Sequence, residues 1–189
     1  MRKVIGGMAA VAVLMSVAAV ADAQRRAAPA GGAKHEFGVD AGIAYYDPDG
    51  GEAGIRIGTP LDVRVGFVSP NKLQWEGRLL FAFDSKGAGT EGTHFISPGV
   101  NGVYTMKGNT NRRGMYLTGG AALNLVDAGA AAGTGFSVNG AVGWRKPYGG
   151  AAWRYELGVK YDGEVADGAN VLVPKTLSIG ARVGISFWH

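Results

Sequence analysis

Four groups of residues in this 189-residue chain have types and spacings that chemistry uses. Gly87-Ala88-Gly89-Thr90-Glu91-Gly92 matches G-x-G-x-x-G, whose glycines cradle a dinucleotide pyrophosphate when a helix N-terminus follows them. Here the residues from Thr93 onward alternate as a strand does, so the glycines read as a loop. Ser69-Pro70-Asn71-Lys72 matches S-x-x-K, but a helical turn is needed to bring the lysine to the serine, and Pro-Asn favours a tight turn instead. Asp47, Asp49 and Glu52, and again Asp162, Glu164 and Asp167, offer hard oxygen ligands without the spacing of a calcium loop. The histidines are His35, His94 and His189. A hydrolytic triad needs nucleophile, base and orienter converging in space, and on a strand His94 and Ser97 fall on opposite faces. No catalytic, cofactor or metal set emerges.

The elements that carry these residues are eight segments of two-residue hydrophobic alternation, which is the period of a strand. In the first, about Glu36 to Tyr46, one face carries Phe37, Val39, Ala41, Ile43 and Tyr45, and Asp47-Pro48-Asp49-Gly50-Gly51 ends it as a turn. The second, about Ala53 to Val68, sets Ile55, Ile57, Leu61, Val63, Val65 and Phe67 against Arg56, Asp62 and Arg64, with Pro60 marking a kink or bulge. The third sets Leu73, Trp75, Leu79, Phe81 and Phe83 against Gln74, Glu76, Arg78 and Asp84. The fourth (about Thr93 to Lys107) carries Ile96, Val100, Tyr104 and Met106, and the fifth (about Gly114 to Val126) Met115, Leu117, Ala121, Leu123 and Leu125. Phe136, Val138, Val142 and Trp144 mark the sixth. The seventh alternates Trp153, Tyr155, Leu157, Val159 and Tyr161 with Arg154, Glu156, Lys160 and Asp162, and the eighth presents Leu177, Ile179, Val183, Ile185 and Phe187.

The chain opens with Met1, Arg2 and Lys3, an apolar run from Val4 to Val20, and Ala21-Asp22-Ala23, the plan of a cleaved secretory signal peptide over 1–23. A flexible leader over 24–34 follows, and then one folded domain over 35–189. There is no cysteine, so no disulfide framework supports it. Charged residues make up 18%, below the roughly 25% of soluble domains, while glycines number 33. Alternation alone does not say which face points inward, and a soluble lipocalin-like barrel would bury the apolar one. The aromatics decide for a membrane barrel, whose outer wall carries an aromatic girdle at each interface. Phe37, Phe67, Trp75, Tyr104, Trp144, Trp153 and Phe187 fall near one rim, and Tyr45, Phe83, Phe136 and Tyr161 near the other. Strands of about 11 to 13 residues, tilted by about 40°, also span a bilayer. The expected fold is all-β, an eight-stranded antiparallel up-and-down transmembrane β-barrel.

From Glu36 to His189 the chain resembles the small eight-stranded outer-membrane barrels, the group that includes the OmpA transmembrane domain, OmpX and OmpW. The closing Val183-x-Ile185-x-Phe187 alternation resembles the signal that the barrel assembly machinery reads, with Trp188 and His189 following where the family usually ends on the aromatic. The resemblance implies export to the outer membrane of a Gram-negative type envelope and contact with outer-membrane lipids and lipopolysaccharide, and the even strand number returns both termini to the periplasmic side. Loops Ala128 to Thr134 and Glu164 to Pro174 would be extracellular, and the turns Ser69 to Asn71, Gly108 to Arg113 and Pro147 to Gly150 periplasmic.

With the apolar face outward, Arg56, Arg64, Arg78, Arg154, Lys160 and Arg182 point inward with Glu36, Asp40, Asp62, Glu76, Asp84, Glu156 and Asp162. Six cations against seven carboxylates suit a packed lumen, because a buried charge is costly unless paired. Eight strands leave an interior just wide enough for side chains to fill. The expected lumen charge network is Asp40, Arg56, Asp62, Arg64, Glu76, Arg78, Arg154, Glu156, Lys160 and Arg182. At the extracellular end Asp47, Asp49, Glu52, Glu91, Asp127, Glu164 and Asp167 meet Lys86 and Lys175, where divalent cations can bridge to lipopolysaccharide phosphates. At the periplasmic end stand Arg25, Arg26, Lys34, Lys72, Lys107, Arg112, Arg113, Arg145 and Lys146. Without aromatics interleaved on an accessible sheet, that basic rim does not read as a nucleic-acid surface. The functional expectation is a non-enzymatic barrel with a structural or surface-interaction role. The alternatives are a narrow channel for small apolar molecules and a lipid A-modifying barrel enzyme. The oligomeric state is open.

Overall fold

The computed structural model describes residues 35–57, 61–68, 72–84, 93–127, 129 and 131–189. The expected signal peptide and leader, the kink at Pro60, the Ser69-Pro70-Asn71 turn and the glycine-rich loop from Gly87 to Gly92 lie outside these residues, as do the side chains of Arg56, Phe83 and Asp84.

Among the described residues eleven strands form in chain order: β1 (His35–Pro48), β2 (Gly54–Ile57), β3 (Leu61–Val68), β4 (Leu73–Asp84), β5 (Thr93–Thr105), β6 (Gly114–Asp127), β7 (Ala132–Tyr148), β8 (Ala151–Asp162), β9 (Val165–Asp167), β10 (Asn170–Val173) and β11 (Thr176–Trp188). β2 and β3 are two pieces of one stave, so β1, β2 with β3, β4, β5, β6, β7, β8 and β11 make an eight-stave meander. The β1–β11 ladder, from Glu36↔Trp188 to Pro48↔Thr176, closes it into an all-antiparallel barrel. Closure leaves the barrel without a sheet edge. The registers of β2 and β3 against β1 differ by two residues, an even step, so the apolar parity of both pieces faces the same way.

One end carries the short connections. β7 turns into β8 through Gly149 and Gly150, with Gly149 at φ 58°, a left-handed conformation that a side chain would strain. The β5–β6 turn is fixed by paired backbone bonds between Thr110 and Arg113, at 2.9 and 3.1 Å. His35 and His189 bond reciprocally at the same end, at 3.1 and 3.0 Å. At the other end the stretch from Glu164 to Pro174, expected as plain loop, contains the β9–β10 hairpin. Val165 packs it down, fully buried against Gly133 and Gly135, where an added Cβ would come within 2.7 Å of a Val165 methyl. Two β-carbons omitted from β7 thus give the hairpin its seat.

The burial pattern is the inverse of a soluble protein's. Leu117, Leu123, Val138, Leu157, Val159 and Ile179 are exposed on the outer wall, whereas Glu36, Asp40, Asp62, Arg64, Glu76, Arg154 and Glu156 are buried within. Glycines make this interior possible. A Cβ at Gly38 would run into the Arg64 guanidinium, one at Gly66 into the Gln74 amide and one at Gly143 into the Tyr116 ring. Large side chains lie flat over bare backbone, and the lumen fills without widening the barrel.

A candidate functional site in the barrel lumen

The polar parity of β1, β3, β4, β8 and β11 projects into one connected cluster. Arg64 Nε donates to Asp40 Oδ2 at 2.5 Å, and Arg64 Nη1 donates to Glu36 Oε1 at 3.0 Å. Its Nη2 reaches Ser186 Oγ at 3.1 Å. Arg78 pairs with Asp62 at 2.5 Å, and Arg182 bridges Asp62 and Glu156, each at 3.1 Å. Arg154 pairs with Glu156 on its own strand and with Glu76, both at 2.5 Å. Since β8 and β4 stand four staves apart in a ring of eight, the Arg154–Glu76 pair crosses the full diameter of the barrel.

Two residues complete the cluster from the remaining staves. Arg145 of β7 donates through Nη2 to Glu36 Oε2 at 2.9 Å, and its other two nitrogens make no hydrogen bond. Its cation instead rests 4.5 Å from the Tyr116 ring centre, while Arg154 lies 4.7 Å from the same ring. Both guanidinium groups thus lie against the Tyr116 ring, a favourable cation–π arrangement. Its hydroxyl accepts from Arg154 Nε at 2.6 Å and donates to Glu156 Oε1 at 3.0 Å. Arg64, Arg78, Arg145, Arg154 and Arg182 thus face Glu36, Asp40, Asp62, Glu76 and Glu156, five cations to five carboxylates.

Beyond Arg145 and Tyr116, the β5–β7 wall is filled differently. Ser97 and Ser137 both donate to Asn124 Oδ1, at 2.8 and 3.2 Å, and Asn124 Nδ2 donates to Asp162 at 2.9 Å. The Asn101 and Asn139 amides bond across the lumen face of β6 at 2.8 Å. Lys160 pairs with Asp162 at 2.6 Å and lies over the Phe95 ring at 5.3 Å, retaining 26% exposure.

Of the residues expected in the network, Asp40, Asp62, Arg64, Glu76, Arg78, Arg154, Glu156 and Arg182 meet in the one cluster, whereas Lys160 stands apart from it with Asp162. Arg56 has no described side chain. Arg145 was expected on the periplasmic rim and is instead fully buried in the lumen. The reason is that β7 continues as strand to Tyr148, through the expected turn, so Arg145 keeps the inward parity of Ser137 and Asn139 while Lys146 takes the outward one. Val183 is exposed on the outer wall, whereas Phe187, expected in the aromatic girdle, is only 6% exposed between Phe37 and Ala151. Tyr116 and the Asn101–Asn139 pair were not expected in the lumen, although each shares the inward parity of its strand, and Gln74, expected on the inward face, joins the cluster through Glu36 and Glu76.

Ser97 and Ser137 face an amide and Ser186 a guanidinium. Among the described residues no three of His, Cys, Asp and Glu converge to hold a metal ion. What the geometry does is tie opposite staves together through neutralised charge.

No family model and no curated protein sequence matches the chain. Among solved structures it is similar to Neisserial surface protein A, with a TM-score of 0.55 and 17% identity over 82% of this chain and 97% of that one. The N-terminal barrel of Pseudomonas aeruginosa OprF (TM-score 0.46, 11% identity, 80% and 97% covered) and OprG from the same organism (0.45, 15%, 84% and 98%) are more distant. A closed eight-stave antiparallel ring, apolar outside and ion-paired within, gives this chain the fold of the small eight-stranded outer-membrane β-barrels.

Proposed function

We propose that the protein is a non-enzymatic outer-membrane barrel with a structural or surface-interaction role, its lumen plugged by its own charges. The observation that carries this reading is the Arg154–Glu76 pair spanning the lumen, joined on both sides by Arg64, Arg145 and Glu156. A charge held in that way cannot leave its partner without a large penalty, so the network favours a permanent brace over a passage. In the same reading, residues 1–23 direct export, 24–34 form a leader in the periplasm, and Val183, Ile185 and Phe187 present the signal read by the barrel assembly machinery. The apolar wall of Leu117, Leu157 and Ile179 lies in hydrocarbon, among outer-membrane lipids and lipopolysaccharide.

The test combines location with permeability. The protein should fractionate with the outer membrane and change gel mobility on boiling, because a closed barrel offers detergent no edge to unzip. In planar bilayers it should give no reproducible conductance steps. Lipid A from cells with and without it should carry the same acyl chains. Regular conductance steps would overturn the plugged lumen, and a changed acyl pattern would make the protein an enzyme.

A further inference from the structure

At the end of the barrel that carries the tight turns, two exposed cations occupy positions next to one ladder pair. Gly114 pairs with Arg145, and one residue beyond that pair on either strand lie Arg113 and Lys146, both exposed. Arg113 is fixed in place by its two backbone bonds with Thr110. Lys146 faces outward, directly across the ladder from Trp153, with Trp144 and Tyr148 two residues away on the same face. Those three rings are 39%, 55% and 67% exposed. Like charges this close in the fold repel, and among the described residues neither forms an ion pair with a carboxylate. The described carboxylates nearest this rim, Glu36 and Glu76, are buried in the lumen and committed to its arginines. Lys72 and Lys107 add further exposed positive charge at the same end.

We propose that Arg113 and Lys146, with Trp144, Tyr148 and Trp153, form a binding site for the phosphodiester headgroup of an anionic glycerophospholipid in the periplasmic leaflet. The two cations receive the phosphate, while Trp153, level with Lys146, and Trp144, two residues deeper, contact the glycerol backbone and the first methylenes, and Tyr148 flanks the headgroup from the turn side. An acidic polymer in the periplasm fits less well, since Lys146 projects from the lipid-facing wall beside Trp144 and away from the barrel mouth. The site rests on the outer wall being lipid-facing, as proposed above.

The test uses tryptophan quenching in phosphatidylcholine vesicles that contain a small fixed fraction of brominated lipid, either phosphatidylglycerol or phosphatidylcholine. A Trp75→Phe background leaves Trp144 and Trp153 as the exposed reporters, because Trp188 is buried. The anionic lipid should be preferred by about fivefold at these rings. The preference should fall to near unity in Arg113→Gln/Lys146→Gln, whose barrel still shifts on boiling, and should persist in Lys72→Gln. Equal quenching by both lipids, or a preference that survives the double substitution, overturns the site. So does capture of a soluble polyanion by protein in pure phosphatidylcholine vesicles if the lipid preference is absent. Failure to insert at all would instead bring down the membrane-barrel reading, and the site with it.

Discussion

On the wall built by β1, β3, β4, β8 and β11 the lumen is filled with guanidinium and carboxylate groups, while on the β5–β7 wall, beyond Arg145 and Tyr116, amides and hydroxyls do the filling. Both walls pair their inward side chains with one another, though atoms such as Arg145 Nε and Nη1 make no hydrogen bond, and they do so at very different stakes. A neutral amide that loses its partner leaves one unsatisfied dipole, whereas a buried arginine that loses its carboxylate leaves a full charge in a low-dielectric interior. The charged wall also reaches farther. Its side chains cross the diameter, as Arg154 does to Glu76, whereas the Asn101–Asn139 bond skips only one stave. Glycine accompanies the reach, because Gly38, Gly66 and Gly143 leave room for Arg64, Gln74 and Tyr116 to lie along the wall.

The comparison breaks first, if it breaks, at Glu76. Glu76→Leu removes the 2.5 Å partner of Arg154 and the more distant partner of Arg64 and Arg145, so urea unfolding from lipid vesicles should show a loss of about 3–5 kcal/mol. A variant as stable as wild type would mean that the charged wall is solvated and carries no special cost. Next in size is the outer wall, the reference against which both inner walls are judged. Leu157, 59% exposed there, should cost about 2–4 kcal/mol as Leu157→Arg in the same assay. If the substitution instead leaves insertion intact, that face does not meet hydrocarbon. On the amide wall, Asn124→Leu strands the hydroxyls of Ser97 and Ser137 and one bond of Asp162, for an expected loss of about 1–3 kcal/mol. The smallest effect belongs to Lys160→Leu. Its pair with Asp162 is a quarter exposed and Asn124 still donates to the same carboxylate, so a loss below about 1 kcal/mol is expected, and a larger one would extend the charged wall to β8's outer end.

Much of this was legible in the sequence because parity is a physical constraint that both faces of a strand must obey. Leu157 out and Glu156 in follow from alternation once the aromatic girdles choose the lipid side. What alternation does not encode is where a strand stops. Arg145 was assigned to the rim because Pro147-Tyr148-Gly149-Gly150 reads as a turn, yet the ladder runs through Pro147↔Ala152 and carries Arg145 inside. Nor does parity say which inward groups meet. Tyr116 and Arg154 are brought together by the curvature of the ring, and the glycine opposite Tyr116 at Gly143 becomes informative only after the β6–β7 register is known. The β9–β10 hairpin is too short and too irregular to show a period of two.

The most direct measurement of the difference between the walls is a pair of double-mutant cycles, read by unfolding from the same lipid vesicles. One cycle combines Glu76→Gln with Arg154→Met, and the other combines Asn101→Ala with Asn139→Ala. The account predicts a coupling of about 2–3 kcal/mol for the diametric ion pair and below about 1 kcal/mol for the amide pair. Additive behaviour of Glu76 and Arg154, or equal coupling in the two cycles, would contradict the claim that a neutralised charge network braces the barrel across its lumen.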